Sequence, residues 1–296
     1  MDVVVQKLIT WYKKNKRNLP WRHTRDPYAI FISELMLQQT QVDRVIPKYL
    51  AWMKRFPSWK ILSRATTASI IHAWSGLGYN RRGLYARGAA MHIHEHGIPI
   101  SRDAWLQVKG VGPYMVSAIM EFAFHKREIV IDTNIRRIIG RIFLKKPFSH
   151  PADDRKIKRV LNKITPIKNG HWILPQAIMD FANTVCLNHK PVCETCPIRN
   201  QCTSATFFLK GGKKEKRHFI KSYEKIHEGK KYPDRIYRGR ILKLILEKKV
   251  ISIKTLGVYI DPSYTKSDAT WIQDMVQRLA EDGLISIQHD MIQLPT

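Results

Sequence analysis

Apolar residues recur at intervals of three and four along most of the first two hundred positions, the spacing that lines one face of a helix. In "ISELMLQQTQVDRVIPKYLAWMKRF" the set Ile32, Leu35, Val42, Val45, Tyr49 and Met53 stays near the helical period. The segments "TTASIIHAWSGL", "GPYMVSAIMEFAF", "DTNIRRIIGRIF", "DDRKIKRVLNKI" and "LPQAIMDFANTVC" follow, each with Thr, Pro or Asp near its start, where such residues open a helix. Little alternates with the period of two that a half-buried strand needs. An all-α body is therefore expected over residues 1–208. Across 209–234, "LKGGKKEKRHFIKSYEKIHEGKKYPD" loses periodicity and gains glycine and lysine, the composition of a basic linker. Residues 235–296 read helix, short helix, helix and terminal β-hairpin, which predicts a small winged-helix-like domain of a kind that binds DNA or proteins.

Composition narrows the class of partner. The chain has 296 residues, and its 44% hydrophobic content argues against disorder. No apolar run approaches the roughly twenty residues that span a bilayer, so a soluble, cytoplasmic protein with no membrane partner is expected. Lys and Arg outnumber Asp and Glu by 51 to 24, a net charge of +27, which is a polyanion-binder's balance. The charge belongs to the body, because residues 1–205 carry 33 basic and 13 acidic side chains. A basic amphipathic helix with an exposed apolar face, the signature of a membrane-surface binder, does not stand apart from the core-like helices.

All four cysteines fall in "VCLNHKPVCETCPIRNQC": Cys186, Cys193, Cys196 and Cys202. Disulfides suit small secreted domains, whereas this chain is long enough for a core and opens with no apolar leader-like stretch. The pattern reads as a metal site, either a tetrahedral zinc or an iron–sulfur cluster. Its single close pair and two wide spacings favour a loop wrapped around something larger than one ion. Upstream, "VKGVGPYMVSAI" places Gly110 and Gly112 in a tight turn ahead of Pro113 and Tyr114, an arrangement whose exposed helix-start amides receive a phosphate. A plain glycine turn has the same local pattern. Asp132 in "IVIDTNIRR" stands where a helix N-cap would.

The hairpin, the aspartate and the four cysteines, taken in that order, resemble the helix-hairpin-helix DNA glycosylase superfamily with its iron–sulfur cluster. The resemblance covers roughly residues 8–204. Within it "NLPWR", "DPYAIFISELMLQQTQVDRVIPKY", "WSGLGYNRRG" and "QAIMDFANTVC" are similar to adenine DNA glycosylases of the MutY type. The resemblance implies a fold of two helical subdomains, a [4Fe-4S] cluster on the four cysteines, and a monomer that binds double-stranded DNA containing a mispaired base and flips a nucleotide into a pocket. It implies that Glu34 is the general acid, that Asp132 stabilises the oxocarbenium-like sugar, and that Tyr114 orients Asp132. Tyr114 stands where strand-cleaving relatives carry a lysine, so base removal without lyase activity follows. Gln38, Gln39 and Thr40 match positions at the lesion and the opposite base. Tyr79, beside Leu77, matches an intercalating aromatic. Trp21, Arg22 and Gln176 match positions that line or support the adenine pocket, and Asn134 matches an asparagine near the catalytic aspartate, although the chain reads "DTN" where the family commonly reads "DGN".

The resemblance stops after the cysteines. Relatives usually continue into a Nudix-like domain that reads 8-oxoguanine through a Phe-Ser-His loop, and residues 235–296 are too few for it. The "FSH" at 148–150 lies inside the glycosylase body and is expected to be coincidental. Two other readings compete: a thymine or uracil mismatch glycosylase, which shares the Tyr and Asp pattern, and a non-catalytic DNA-binding module. The run "SELMLQQTQV" argues against the first, and the joint presence of Glu34, Tyr114 and Asp132 against the second.

Overall fold

Helices form where the periodicity and the opening residues call for them in the computed structural model, which describes residues 2–165, 170–213 and 226–295. Thr66 caps Thr67–Trp74 by accepting from Ser69 N, Pro113 occupies the first position of Pro113–Phe122, and Asp132 caps Thr133–Phe143. Asp154–Ile164 and Ile173–Thr184 complete the expected set. One periodic stretch does not run through. The helix Pro27–Leu37 ends before the polar run 38–41 and a new one starts at Val42, with Gln39 between them in the left-handed region at φ 55°. Four consecutive polar residues leave nothing to continue the buried stripe.

Packing divides the chain into two compact units that interleave in sequence. The first holds residues 1–31, 101–106 and 111–217. Its core is built from Leu8 of the helix Asp2–Asn15, Ile135, Ile138 and Ile142 of Thr133–Phe143, Ile157 and Leu161 of Asp154–Ile164, and Ile178 and Phe181 of Ile173–Thr184. Trp11 meets Phe181 edge-on at 5.0 Å, the geometry ring quadrupoles favour.

The second unit holds residues 32–100, 107–110 and 218–296. Its C-terminal part has the winged-helix order: Asp234–Lys248, strand β1 (Val250–Ser252), Ile253–Ile260, Ala269–Glu281, then β2 (Ser286–Gln288) and β3 (Met291–Gln293). The three strands form an antiparallel sheet in the order β1-β3-β2, with Ile251, Ile292 and Ile287 in one row. The two-residue turn His289–Asp290 has positive φ at both positions, as a tight hairpin matching strand twist requires. This part does not keep its core to itself. Ile71, from Thr67–Trp74, is buried in one cluster with Ile241, Ile245, Met275 and Ile292, and Leu84 of the helix Arg81–His96 packs against it. Asp282 bridges Arg81 at 3.1 Å and Arg238.

The linker expected over 209–234 lies partly outside the described residues, at 214–225. Its later part is anchored. Lys230 pairs with Asp261 at 2.9 Å and Asp268 at 2.8 Å, and His227 stacks on Trp271.

Candidate active site

Asp132 is shaped by the start of its helix. Its Oδ1 accepts from Ile135 N at 2.6 Å and its Oδ2 from Asn134 Nδ2 at 2.8 Å, so both oxygens are oriented. Burial pushes the Asp132 carboxyl above the usual aspartate range; these hydrogen bonds and the charge of Arg137 oppose that push without cancelling it. Asn134 is held in turn by Arg137, whose Nη2 donates to Asn134 Oδ1 at 3.1 Å and to Ala182 O at 2.8 Å, while its Nε donates to Cys186 O at 3.1 Å. A continuous chain of hydrogen bonds thus runs from the Asp132 carboxylate to the backbone of the first cysteine. Tyr114, one residue into its helix, is half-buried against the same core.

Gly112 caps Pro113–Phe122 with extended backbone and lies exposed, so the first amides of that helix face solvent. Gly110 adopts φ 88°, and a Cβ there would come within 2.8 Å of Tyr85 Cβ, so only glycine fits.

In the second unit, Gln38, Gln39, Thr40, Leu77 and Tyr79 are drawn together by Arg82. Its guanidinium, 7% exposed, donates to Leu35 O at 2.9 Å, Gln38 O, Leu77 O at 3.4 Å and Gly78 O at 3.2 Å, and lies 5.2 Å from the Tyr79 ring centre. Thr40 Oγ1 adds a bond to Leu77 O at 3.3 Å. Burial lowers the Arg82 pKa to about 10, still charged at neutral pH. Gln39 and Tyr79 both sit at positive φ, 55° and 49°, a strained conformation for such side chains that persists where surroundings impose it. Tyr79 is 48% exposed, which ordinary core packing does not explain. Glu34 lies one turn earlier on Pro27–Leu37 and is 9% exposed.

Trp21 is buried in the short 3-10 turn Pro20–Arg22. Arg22 grips Asp180 with two nitrogens, at 2.6 and 2.8 Å, and Arg17 adds Nε at 2.6 Å and its backbone N at 3.0 Å. Burial raises the Asp180 carboxyl, but the two arginines outweigh it and hold the group below the usual range. Gln176 accepts from Tyr12 OH at 2.8 Å. Arg22 and Gln176 are therefore engaged in a network that fixes the start of the chain to Ile173–Thr184.

The four cysteines are free, half-buried, and line one open pocket. Among the described residues no three His, Cys, Asp or Glu side chains form a group fit for a single metal ion. Burial, with mutual repulsion of the sulfurs, raises Cys193 and Cys202 and pushes Cys196 up to about 11. Arg141, 1% exposed, organises the loop: it donates to Leu187 O and Asn188 O at 2.7 Å each, to Pro147 O at 2.9 Å and to Cys186 Sγ at 3.3 Å, with Phe208 4.4 Å beneath it. Phe148 of the "FSH" sequence packs edge-on against Phe207 and Phe208 and near Arg141, and His150 caps a 3-10 turn.

Asp132, Tyr114, Gly112, Asn134, Trp21, Arg22, Gln176 and the cysteines thus belong to the first unit, and Glu34, Gln38, Gln39, Thr40, Leu77, Tyr79 and Gly110 to the second. Sequence reading missed Arg82, Arg137, Arg141 and Asp180. Only Asp180 left a trace, as an acid on the apolar side of "QAIMDFANTVC".

Residues 32–166 match the family described as HhH-GPD superfamily base excision DNA repair protein. An adenine DNA glycosylase of Buchnera aphidicola is 34% identical over 229 residues, 74% of this chain and 64% of that protein, so the chain spans under two thirds of that relative's length. One from Mycolicibacterium smegmatis is 28% identical over 295 residues, covering 96% of this chain and 93% of its own. Among solved structures, a thermostable thymine-DNA glycosylase aligns with TM-score 0.63 at 26% identity, over 70% of this chain and 96% of that one.

Proposed function

From the match of residues 32–166 to the HhH-GPD superfamily of base excision DNA repair proteins we propose that the chain is a member of it and removes adenine mispaired with guanine or 8-oxoguanine in duplex DNA. The observation that carries the reading is Asp132: a desolvated carboxylate with both oxygens oriented, in a chain that one adenine DNA glycosylase matches across nearly its whole length. Glu34, buried on its helix, protonates adenine at N7, which makes the base a better leaving group. The C1′–N9 bond breaks with its electron pair leaving on the base. Positive charge grows on the sugar and is met by the Asp132 carboxylate, and water then attacks C1′ and loses a proton. Tyr114 cannot form a Schiff base, so no covalent amine adduct precedes strand scission.

Gln38, Gln39, Thr40, Leu77 and Tyr79 read the mismatch and wedge the duplex; their left-handed, Arg82-braced backbone supports that role. Gly110 and Gly112 let the hairpin approach a phosphate. Trp21, Arg22 and Gln176 back the base pocket, and Asn134 steadies Asp132. Cys186, Cys193, Cys196 and Cys202 would hold a [4Fe-4S] cluster: four thiols lining one pocket are the donor set that iron–sulfur clusters take. When bound, the cluster ties four loop positions into one rigid body. Residues 235–296 form a winged-helix-like module.

The test is excision from duplexes carrying A:8-oxoguanine, A:G, T:G and U:G, read by alkaline cleavage at the base site. Cutting at A alone is expected, with no borohydride-trapped adduct. Cutting at T:G but not at A would move the chain to the thymine class, and none at all to the binding modules.

A further inference from the structure

The helix Asp154–Ile164 carries more unbalanced charge than its fold can use. Its sequence, DRKIKRVLNKI, buries Ile157, Leu161 and Ile164 in the first unit's core and leaves Arg155, Lys158, Arg159 and Lys163 exposed. At about 100° per residue these four fall within an arc of roughly 140° opposite the buried stripe. Among the described residues none of the four makes an ion pair. Cations of the C-terminal module offer a contrast: Lys230 pairs with Asp261 and Asp268, Arg238 with Asp282, and Arg278 with Asp234. Like charges four residues apart, as at Arg155–Arg159, destabilise a helix by a few tenths of a kcal/mol, and a cation in the first turn opposes the helix dipole. The array therefore works against folding, and its use lies in what it binds.

Its position is set by the catalytic helix. Arg136, four residues after Asp132, donates to Asp154 through Nε at 2.6 Å and Nη2 at 2.8 Å, locking the start of the charged helix to the first turn of Thr133–Phe143. From Arg155 to Lys163 the array extends for about 12 Å, the rise of three to four base pairs. We propose that this face is a second phosphate-binding surface that grips duplex DNA flanking the excised base. The inference rests on the reading of the substrate as duplex DNA and extends it to a surface outside the hairpin. On the C-terminal module the helix Ala269–Glu281 offers no equivalent, since it turns Gln273, Asp274, Gln277 and Glu281 to solvent, a neutral to acidic face.

The test compares the full chain with R155Q/K158Q/R159Q/K163Q and with a charge-matched control, K243Q/K248Q/K254Q/K266Q, whose lysines lie exposed on the C-terminal module. Affinity for a lesion-free duplex of about two turns is measured from about 50 to 200 mM salt. Each phosphate contact contributes about 0.9 to the slope of log K against log salt, so the helix variant should lose about 3 from it and the control less than 1. Circular dichroism of both variants should match that of the parent. Slopes that agree within 1 across all three proteins, or an equal fall in both variants, would overturn the proposal; unchanged duplex binding with lost binding of a poly-glutamate peptide would assign the face to an acidic protein instead. Adenine excision is scored separately: a parent that cuts no adenine but keeps the helix-dependent slope refutes the proposed function and leaves the surface standing.

Discussion

Replacing Arg82 by Met should loosen the two loops proposed to read the mismatch without unfolding the unit around them. The depression of its pKa from the ordinary arginine value to about 10 corresponds to roughly 3 kcal/mol of lost hydration, which the native fold already bears. Four hydrogen bonds from this charged donor, to the carbonyls of Leu35, Gln38, Leu77 and Gly78, offset it, being of a kind whose net contribution is about 1.5–3 kcal/mol each where geometry is good. Removing the guanidinium relieves the first term and takes a donor from all four carbonyls, of which Gln38 O and Leu77 O keep Thr40 Oγ1 and Gly78 O keeps Trp74 Nε1. The exposed Gly78 regains water most easily, so the net loss should be about 3 kcal/mol rather than the full set. The loss is local, and hydrogen exchange reads it: the Thr40 and Leu77 amides, bonded to Leu37 O and Trp74 O, should exchange about a hundredfold faster. Arg82→Lys keeps the charge but not the planar fork and should fall between. A change under about threefold in Arg82→Met would refute the idea that Arg82 braces these loops.

Asp132→Asn should abolish excision yet leave the protein as stable as the parent or more so at neutral pH, since Asn caps a helix as well as Asp. The sign follows from the raised carboxyl: its contribution to stability is present below the unfolded pKa and is lost as pH rises through the folded one, so removing the charge removes that loss. Thermal melts of Asn and Ala variants separate the roles, with Ala losing about 1 kcal/mol of capping. Because excision needs the ionised form, the acid limb of the rate profile should lie above the ordinary aspartate range. Arg137→Met breaks the chain from Asp132 to Cys186 O and should slow single-turnover excision at least tenfold with duplex affinity little changed; equal rates would show that Asn134 needs no such support. A chain ending at residue 213 bares Ile71 and Leu84, and gel filtration should find it aggregated.

Helices were legible because burial is written in period: Thr133–Phe143 and Asp154–Ile164 alternate core and surface so strictly that only their ends are open to question. The cysteines and Asp132 were legible because their chemistry is carried by residue type. The arginines were not. In a chain with 51 basic residues, nothing in the string separates Arg82, Arg137 and Arg141, which face inward onto carbonyl oxygens, from Arg155 and Arg159, which face water. Their acceptors are mostly backbone atoms, which every residue possesses, so no carboxylate partner betrays them. The break at 38–41 was masked for a related reason: apolar residues on both sides kept a common period across a corner that polar residues turn.

Ile71 and Ile292 are 221 positions apart in sequence and share one core. Closing a loop that long costs entropy before any contact repays it, so the pairing belongs to the slow part of folding. On a ribosome the helices from Val42 to His96 emerge long before β3 is made, and until then Ile71 and Leu84 have no cover. The loops proposed to read the lesion therefore mature late, and a nascent or prematurely terminated chain is one that chaperones and proteases find before DNA does.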